Sequence, residues 1–170
     1  MAPERDEVDR MLAQWRHHRP ELDSSGMAVV LRVGLLAGLF GDRLKHILAP
    51  RGLAPWEYDV LAALRRAGPS GGRTPTELCQ SAQLTSGAMT HRLDRLEGRG
   101  LVRRRTAPED RRSVDVALTR KGRALVDGVI GERMVDALDC VAALTKKDRR
   151  ELARLLRIVG KSLEPSEPAT

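Results

Sequence analysis

A change of hydrophobic period at Gly100 constrains this chain more than any other stretch of it. Upstream, Ser86 to Arg99 carries Met89, Leu93 and Leu96 within one arc when residues are spaced at about 100°. Downstream, Leu101-Val102-Arg103 and Ser113-Val114-Asp115-Val116-Ala117-Leu118 read as two short strands, with Thr106 to Arg112 as a long turn between them. A helix cannot continue across that switch, so the segment predicts a helix closed by Gly100 and followed by a two-stranded hairpin. Just upstream, Thr74-Pro75-Thr76-Glu77 predicts a helix start, with Thr74 as N-cap, proline in the first turn and glutamate three residues after the cap. The short helix Thr76 to Ser81, a turn at Gln83-Leu84-Thr85 and the helix Ser86 to Arg99 then form a helix-turn-helix with a hairpin wing.

Charge concentrates on the same segment. From His91 to Arg123 there are eleven Lys and Arg against five acids, so this stretch nets +6 of the chain's +7. A positive field gathered on a helix and hairpin points to phosphate, and so to double-stranded DNA as partner.

The rest of the chain predicts helices. With two Trp, one Tyr and one Phe in 170 residues, the interior must be built mainly from Leu, Val and Ala. Val8, Met11, Leu12 and Trp15 give an amphipathic helix over residues 4–18, ended by Pro20. Ser25 to Leu48 predicts a second, whose Gly34 and Gly38 call for close packing against another helix. Pro55 opens a third, with Trp56, Val60, Leu61 and Leu64 inward. Thr119 caps a long helix to about Ala143, and Thr145 with Asp148 boxes a last one running to about Leu163. The fold class is therefore mainly α with a small β-hairpin: a winged helix-turn-helix with an intertwined helical dimerisation layer. The expected division is N-terminal dimerisation helices at 1–50, the winged lobe at 53–118, C-terminal dimerisation helices at 119–163 and a flexible tail at 164–170. A monomeric helical domain is the competing reading; the excess of apolar helix surface outside the lobe favours a homodimer.

Several function classes lose support. No nucleophile–base pattern, phosphate loop or compact metal motif is present, so an enzyme, a cofactor and a metal site are not expected. His17, His18, His46 and His91 are scattered. Cys79 and Cys140 are far apart without a CxxC pattern, which predicts structural, buried thiols in a reducing cytoplasm rather than a redox switch. Without a long apolar run or a signal-like N-terminus, neither membrane insertion nor export is expected.

Within the reading helix, Ser86, Thr90 and His91 lie on or beside the face opposite Met89 and are the candidates for base edges or nearby phosphates, with Gly87 permitting close approach. Arg95 and Arg99 flank that face and suit phosphate. On the hairpin, Arg111 or Arg112 suits an A·T-rich minor groove, the other a phosphate or Asp110. A nucleoid or architectural binder with little base specificity is the alternative to a sequence-specific regulator.

The joined segments LTSGAMTHRLDRLEGRGLVRR, Pro108-Glu109-Asp110-Arg111-Arg112-Ser113 and Leu118-Thr119-Arg120-Lys121-Gly122-Arg123 resemble the reading helix, wing and following helix of the multiple antibiotic resistance regulator (MarR) family. The resemblance runs from about residue 26 to 160. It implies a homodimer on a pseudo-palindromic promoter site, often a repressor, released by a small ligand or by oxidation. A narrower resemblance, to the urate-responsive PecS-type branch, rests on Trp15, Asp59 and Arg92. It implies a pocket for a small anionic or purine-like effector, with Trp15 as aromatic wall, Asp59 as polarising acid and Arg92 as anion partner. An internal Arg92–Asp59 salt bridge beside a core tryptophan is the alternative.

Overall fold

The computed structural model describes residues 5–68, 72–82, 85–106 and 114–164. Its elements are α1 (Glu7–His18), α2 (Ser25–Leu48), a 3₁₀ turn (Ala49–Arg51), α3 (Pro55–Arg66), α4 (Pro75–Ala82), α5 (Ser86–Gly98), β1 (Val102–Thr106), β2 (Val114–Leu118), α6 (Arg120–Cys140) and α7 (Lys146–Leu163). The chain divides into two compact units, Met1–Val126 and Asp127–Thr170.

In the first unit, the lobe's core collects Leu61 and Leu64 of α3, Leu78 of α4, Met89, Leu93 and Leu96 of α5, and Leu101, Val102 and Val116 of the wing, all nearly inaccessible. Each such side chain contributes about 1.5–3 kcal/mol by leaving water. The Thr74 box forms: Thr74 N–H donates to Glu77 Oε2 at 2.7 Å, and Glu77 N–H to Thr74 Oγ1 at 3.3 Å. The period switch at Gly100 has a specific geometry. Gly100, at φ +67°, donates its N–H to Glu97 O at 2.8 Å, and Leu101 N–H reaches Leu96 O at 3.0 Å. This pair of bonds closes α5 and requires a left-handed residue at Gly100.

β1 and β2 pair antiparallel, Val102 opposite Leu118 and Thr106 opposite Val114. Arg73 adds an edge that periodicity does not reveal: its N–H donates to Val116 O at 3.0 Å and its O accepts from Val116 N–H at 2.9 Å. One residue is too short a run to show alternation. The wing meets α6 at a crowded joint. Thr119 Oγ1 donates to Gly100 O at 2.7 Å and accepts Gly122 N–H at 3.0 Å, while Thr119 N–H donates to Leu101 O at 3.1 Å.

At the N-terminus, α1 starts later than the apolar spacing suggests, because Asp6 caps it: Asp9 N–H donates to Asp6 Oδ1 at 2.9 Å, and Asp9 accepts in return. Arg32 of α2 then grips this cap, with Nε 2.8 Å from Asp6 Oδ2 and Nη2 2.8 Å from Asp9 Oδ1. Along α2, Met27, Val30, Leu35 and Leu39 are exposed, and a Cβ placed on Gly34 or Gly38 would meet nothing within 4 Å. Among the described residues of this unit, no helix fills the space beside those glycines.

In the second unit, the helix ends at Cys140, short of the expected Ala143. Arg149 Nε donates to Val141 O and Leu144 O, each at 3.1 Å, which satisfies carbonyls a continuing helix would have used. The Thr145–Asp148 box starts α7, and its apolar Leu152, Leu155, Leu156 and Val159 are exposed.

Candidate nucleic-acid interface

Thr85 starts α5 by accepting Ala88 N–H on its hydroxyl at 3.4 Å. Met89, Leu93 and Leu96 then anchor one side of the helix in the core, which turns Ser86, Gly87, Thr90 and His91 to solvent. Thr90 Oγ1 donates its proton to Ser86 O at 3.0 Å, leaving its lone pairs free to accept. Among the described residues, nothing approaches within 4 Å of where a Gly87 side chain would begin.

The flanking arginines differ from one another. Arg99 donates from Nη1 to Glu57 Oε1 at 2.8 Å. Glu57, on α3, is 0% exposed, and its Oε2 accepts Ala54 N–H at 2.8 Å, so one carboxylate both starts α3 and holds the end of α5. Arg95 lies 3.7 Å from the same Oε1 but keeps 59% of its side chain exposed. Arg92 and Arg95 both sit over Trp56, at 5.1 and 5.6 Å from the ring centroid, where the ring's negative face attracts them.

The wing is fastened to α5 by Arg104. Its N–H donates to Glu97 Oε1 at 2.9 Å, its Nη2 meets Asp94 Oδ1 at 2.6 Å, and its Nη1 pairs with Glu97 Oε2. The backbone N–H of Arg104, with its guanidinium, holds the Glu97 carboxyl below the usual glutamate range. Arg111 and Arg112 lie outside the described residues.

Asp59 and Arg92 line one cleft of about 440 Å³ with Trp56, Tyr58, Arg66 and Gln80. Although Asp59 opens to solvent, the surrounding protein desolvates it and raises its carboxyl above the usual range, against the opposing pull of Arg66 and Arg92. Trp15, expected at the same site, is 51% exposed on α1 and is absent from the lining of this cleft. Cys79 and Cys140 are half-buried rather than buried, each with its sulfur near an oxygen: Thr85 O at 3.7 Å and Asp136 Oδ2 at 3.9 Å. Among the described residues no three or more His, Cys, Asp or Glu gather as a metal site, and no helix is long and apolar enough to cross a membrane.

A sequence profile of the MarR family matches residues 51–113. The HTH-type transcriptional regulator PecS of Dickeya dadantii (strain 3937) is 33% identical over 157 residues, covering 92% of this chain and 95% of that protein. The chain belongs to the MarR family. It is accordingly a DNA-binding transcriptional regulator with a winged helix-turn-helix. Among solved structures, the MarR family protein of Bacillus stearothermophilus shares the fold at TM-score 0.70 and 22% identity, covering 85% of this chain and 99% of its own. The transcriptional repressor CouR, bound to a 23-mer DNA duplex, aligns at TM-score 0.63 and 29% identity over 82% of this chain and 98% of its own.

For this MarR-family chain, sequence reasoning missed Trp56, Glu57 and Arg104 as residues that hold the arginines and acids of α5 in place. Glu57 was within reach: it follows Pro55 at the third position of α3, where a carboxylate commonly returns to the cap. Arg104 carried no local signal, because its partners lie seven and ten residues away across a turn of chain.

Proposed function

We propose that this chain is a ligand-responsive repressor that binds a pseudo-palindromic promoter site as a homodimer. The observation that carries the DNA reading is the opposition of faces on α5: Met89, Leu93 and Leu96 buried, Ser86, Gly87, Thr90 and His91 open. A helix held in that way can enter a major groove, with Arg95 beside it for phosphate and the wing's Arg111 and Arg112 for the adjacent minor groove. CouR, a repressor with a similar fold, supports the direction of regulation. Footprinting on the DNA upstream of its own gene should give a discrete inverted repeat, whereas an architectural binder would coat DNA evenly. Thr90→Ala and His91→Ala should each lower the preference for that repeat over random DNA by about fivefold or more, as lost base contacts do. Unchanged preference in both variants would sink base reading by these two residues.

The dimer reading rests on apolar surface left open in each unit, Val30 and Leu39 in the first and Met134, Leu138 and Leu163 in the second. Sedimentation without DNA should give about twice the chain mass. A single-chain mass across the micromolar range would rule the dimer out.

The cleft supports a small anionic, purine-like effector. Its volume suits a small molecule, Arg92 supplies the cation, and Trp56 and Tyr58 supply aromatic walls. Trp15 belongs to the site only if a second copy brings it there. Asp59, with its raised carboxyl, donates a hydrogen bond when neutral and repels an anion when ionised, so effector affinity should rise as pH falls toward the Asp59 titration. Calorimetry with urate and related acids should show binding to the wild type and a loss of tenfold or more in Arg92→Ala, as for a charge-assisted contact of about 1.4 kcal/mol or above. Undiminished binding in that variant would remove Arg92 from the site, and binding without any change in DNA affinity would remove the regulatory role.

A further inference from the structure

We propose that Glu57 withholds Arg99 from DNA, so that of the two arginines flanking the exposed face of α5, Arg95 alone brings net positive charge to phosphate. The inference rests on the reading of α5 as the DNA-contacting helix and concerns how that helix is charged and held. Arg95 and Arg99 are four residues apart and by spacing alone are equivalent phosphate contacts. The tertiary environment separates them. Glu57 is 0% exposed and accepts from Arg99 Nη1 at 2.8 Å. Drawing Arg99 away would leave a carboxylate without water and without its principal cation, among the costliest electrostatic changes in a folded protein. An exposed phosphate contact exchanges one solvated ion contact for another and returns far less.

Arg95 is not bound in that way. At 3.7 Å from the carboxylate and 59% exposed, it can swing toward phosphate while Glu57 keeps Arg99. Because Glu57 and Arg99 neutralise each other, their pair contributes no counterion release when DNA binds. Glu57 is thus a positioning residue: its other oxygen accepts the Ala54 N–H at the start of α3, so the C-terminal end of α5 is fixed to that start at one point.

The test is the salt dependence of DNA affinity, measured by anisotropy on a short random-sequence duplex and on a duplex selected from a randomised pool, between about 50 and 200 mM salt. Glu57→Gln keeps the size of the side chain and an acceptor for Ala54 but releases the Arg99 charge. Its log–log slope should steepen by about 0.9 per chain, with random DNA bound more tightly and selectivity reduced. In the double variant Glu57→Gln, Arg99→Gln both charges leave together, and the slope should match the wild type. Arg95→Gln should flatten it by about 0.9 per chain.

A double variant as shallow as Arg95→Gln would overturn the proposal, as would an unaltered slope in folded Glu57→Gln. If Glu57→Gln fails to fold by circular dichroism, the double variant, which leaves no buried charge, still decides. Wild-type protein without any salt-dependent DNA binding would instead defeat the DNA reading of α5 and the proposal with it.

Discussion

Gly122→Ala is expected to lower the melting temperature by about 6–12 °C, corresponding to about 3 kcal/mol in a chain of this size. Helix propensity alone predicts the opposite sign, since alanine in a helix is favoured over glycine by about 1 kcal/mol. Sterics win at this position. A Cβ on Gly122 would lie 1.9 Å from Leu101 O and 2.8 Å from Leu101 C, both backbone atoms. That carbonyl is itself fixed, accepting Thr119 N–H at 3.1 Å, and the Gly122 N–H is committed to Thr119 Oγ1. Relief would have to come from moving the wing away from α6, so the variant should also lose DNA affinity when assayed well below its melting point. Gly98→Ala is the control: it is exposed, a Cβ there meets nothing within 4 Å, and it should melt no lower than the wild type. If Gly122→Ala melts within about 2 °C of the wild type, less than 1 kcal/mol is stored at this joint and the steric argument fails.

Arg99→Ala is the second large effect, and it concerns stability rather than DNA. Removing this guanidinium strands Glu57, whose side chain is 1% exposed. Unpaired buried charges destabilise by about 3–5 kcal/mol. Arg95, 3.7 Å from the same oxygen, can move closer, which places the expectation near the lower end, about 3 kcal/mol or 6–12 °C in melting temperature. Adding Glu57→Gln should restore much of the loss, because a neutral amide tolerates what a carboxylate cannot. The sign of that coupling is the decisive readout: the double variant should melt above Arg99→Ala alone. Additive losses would mean that Arg99 acts only through packing of its stem.

Local chemistry explains why so much of the fold was legible beforehand. The helix-turn-helix and the wing's first turns rest on caps, on Gly100 and on periods of 3.6 and 2, each of which involves residues within a few positions of one another. The Thr74 and Thr145 boxes form at the residues the sequence names, and Met89, Leu93 and Leu96 point inward together. The shortfall at the end of α6 has the same origin in reverse. Nothing local stops the helix at Cys140; Arg149, nine residues further on, takes carbonyls of the turn from the next helix.

The candidate site was legible only in part. Wheel positions separate Thr90 and His91 from the core, because both depend on one helix. They cannot separate Arg95 from Arg99, whose difference is made by Glu57 on another element, forty-two residues from Arg99. They likewise could not foresee that Trp56 rather than Trp15 would stand beside Arg92 and Asp59. Sequence by itself determined the order of helices, the Thr74 and Thr145 caps, the wing and the face of α5 turned away from the core, since periodicity and capping are short-range. Tertiary structure alone decided which charges are neutralised, that Trp56 and Tyr58 wall the cleft and that Gly122 has no room for a Cβ, because burial, packing and ion pairing depend on residues that the chain brings together only by folding.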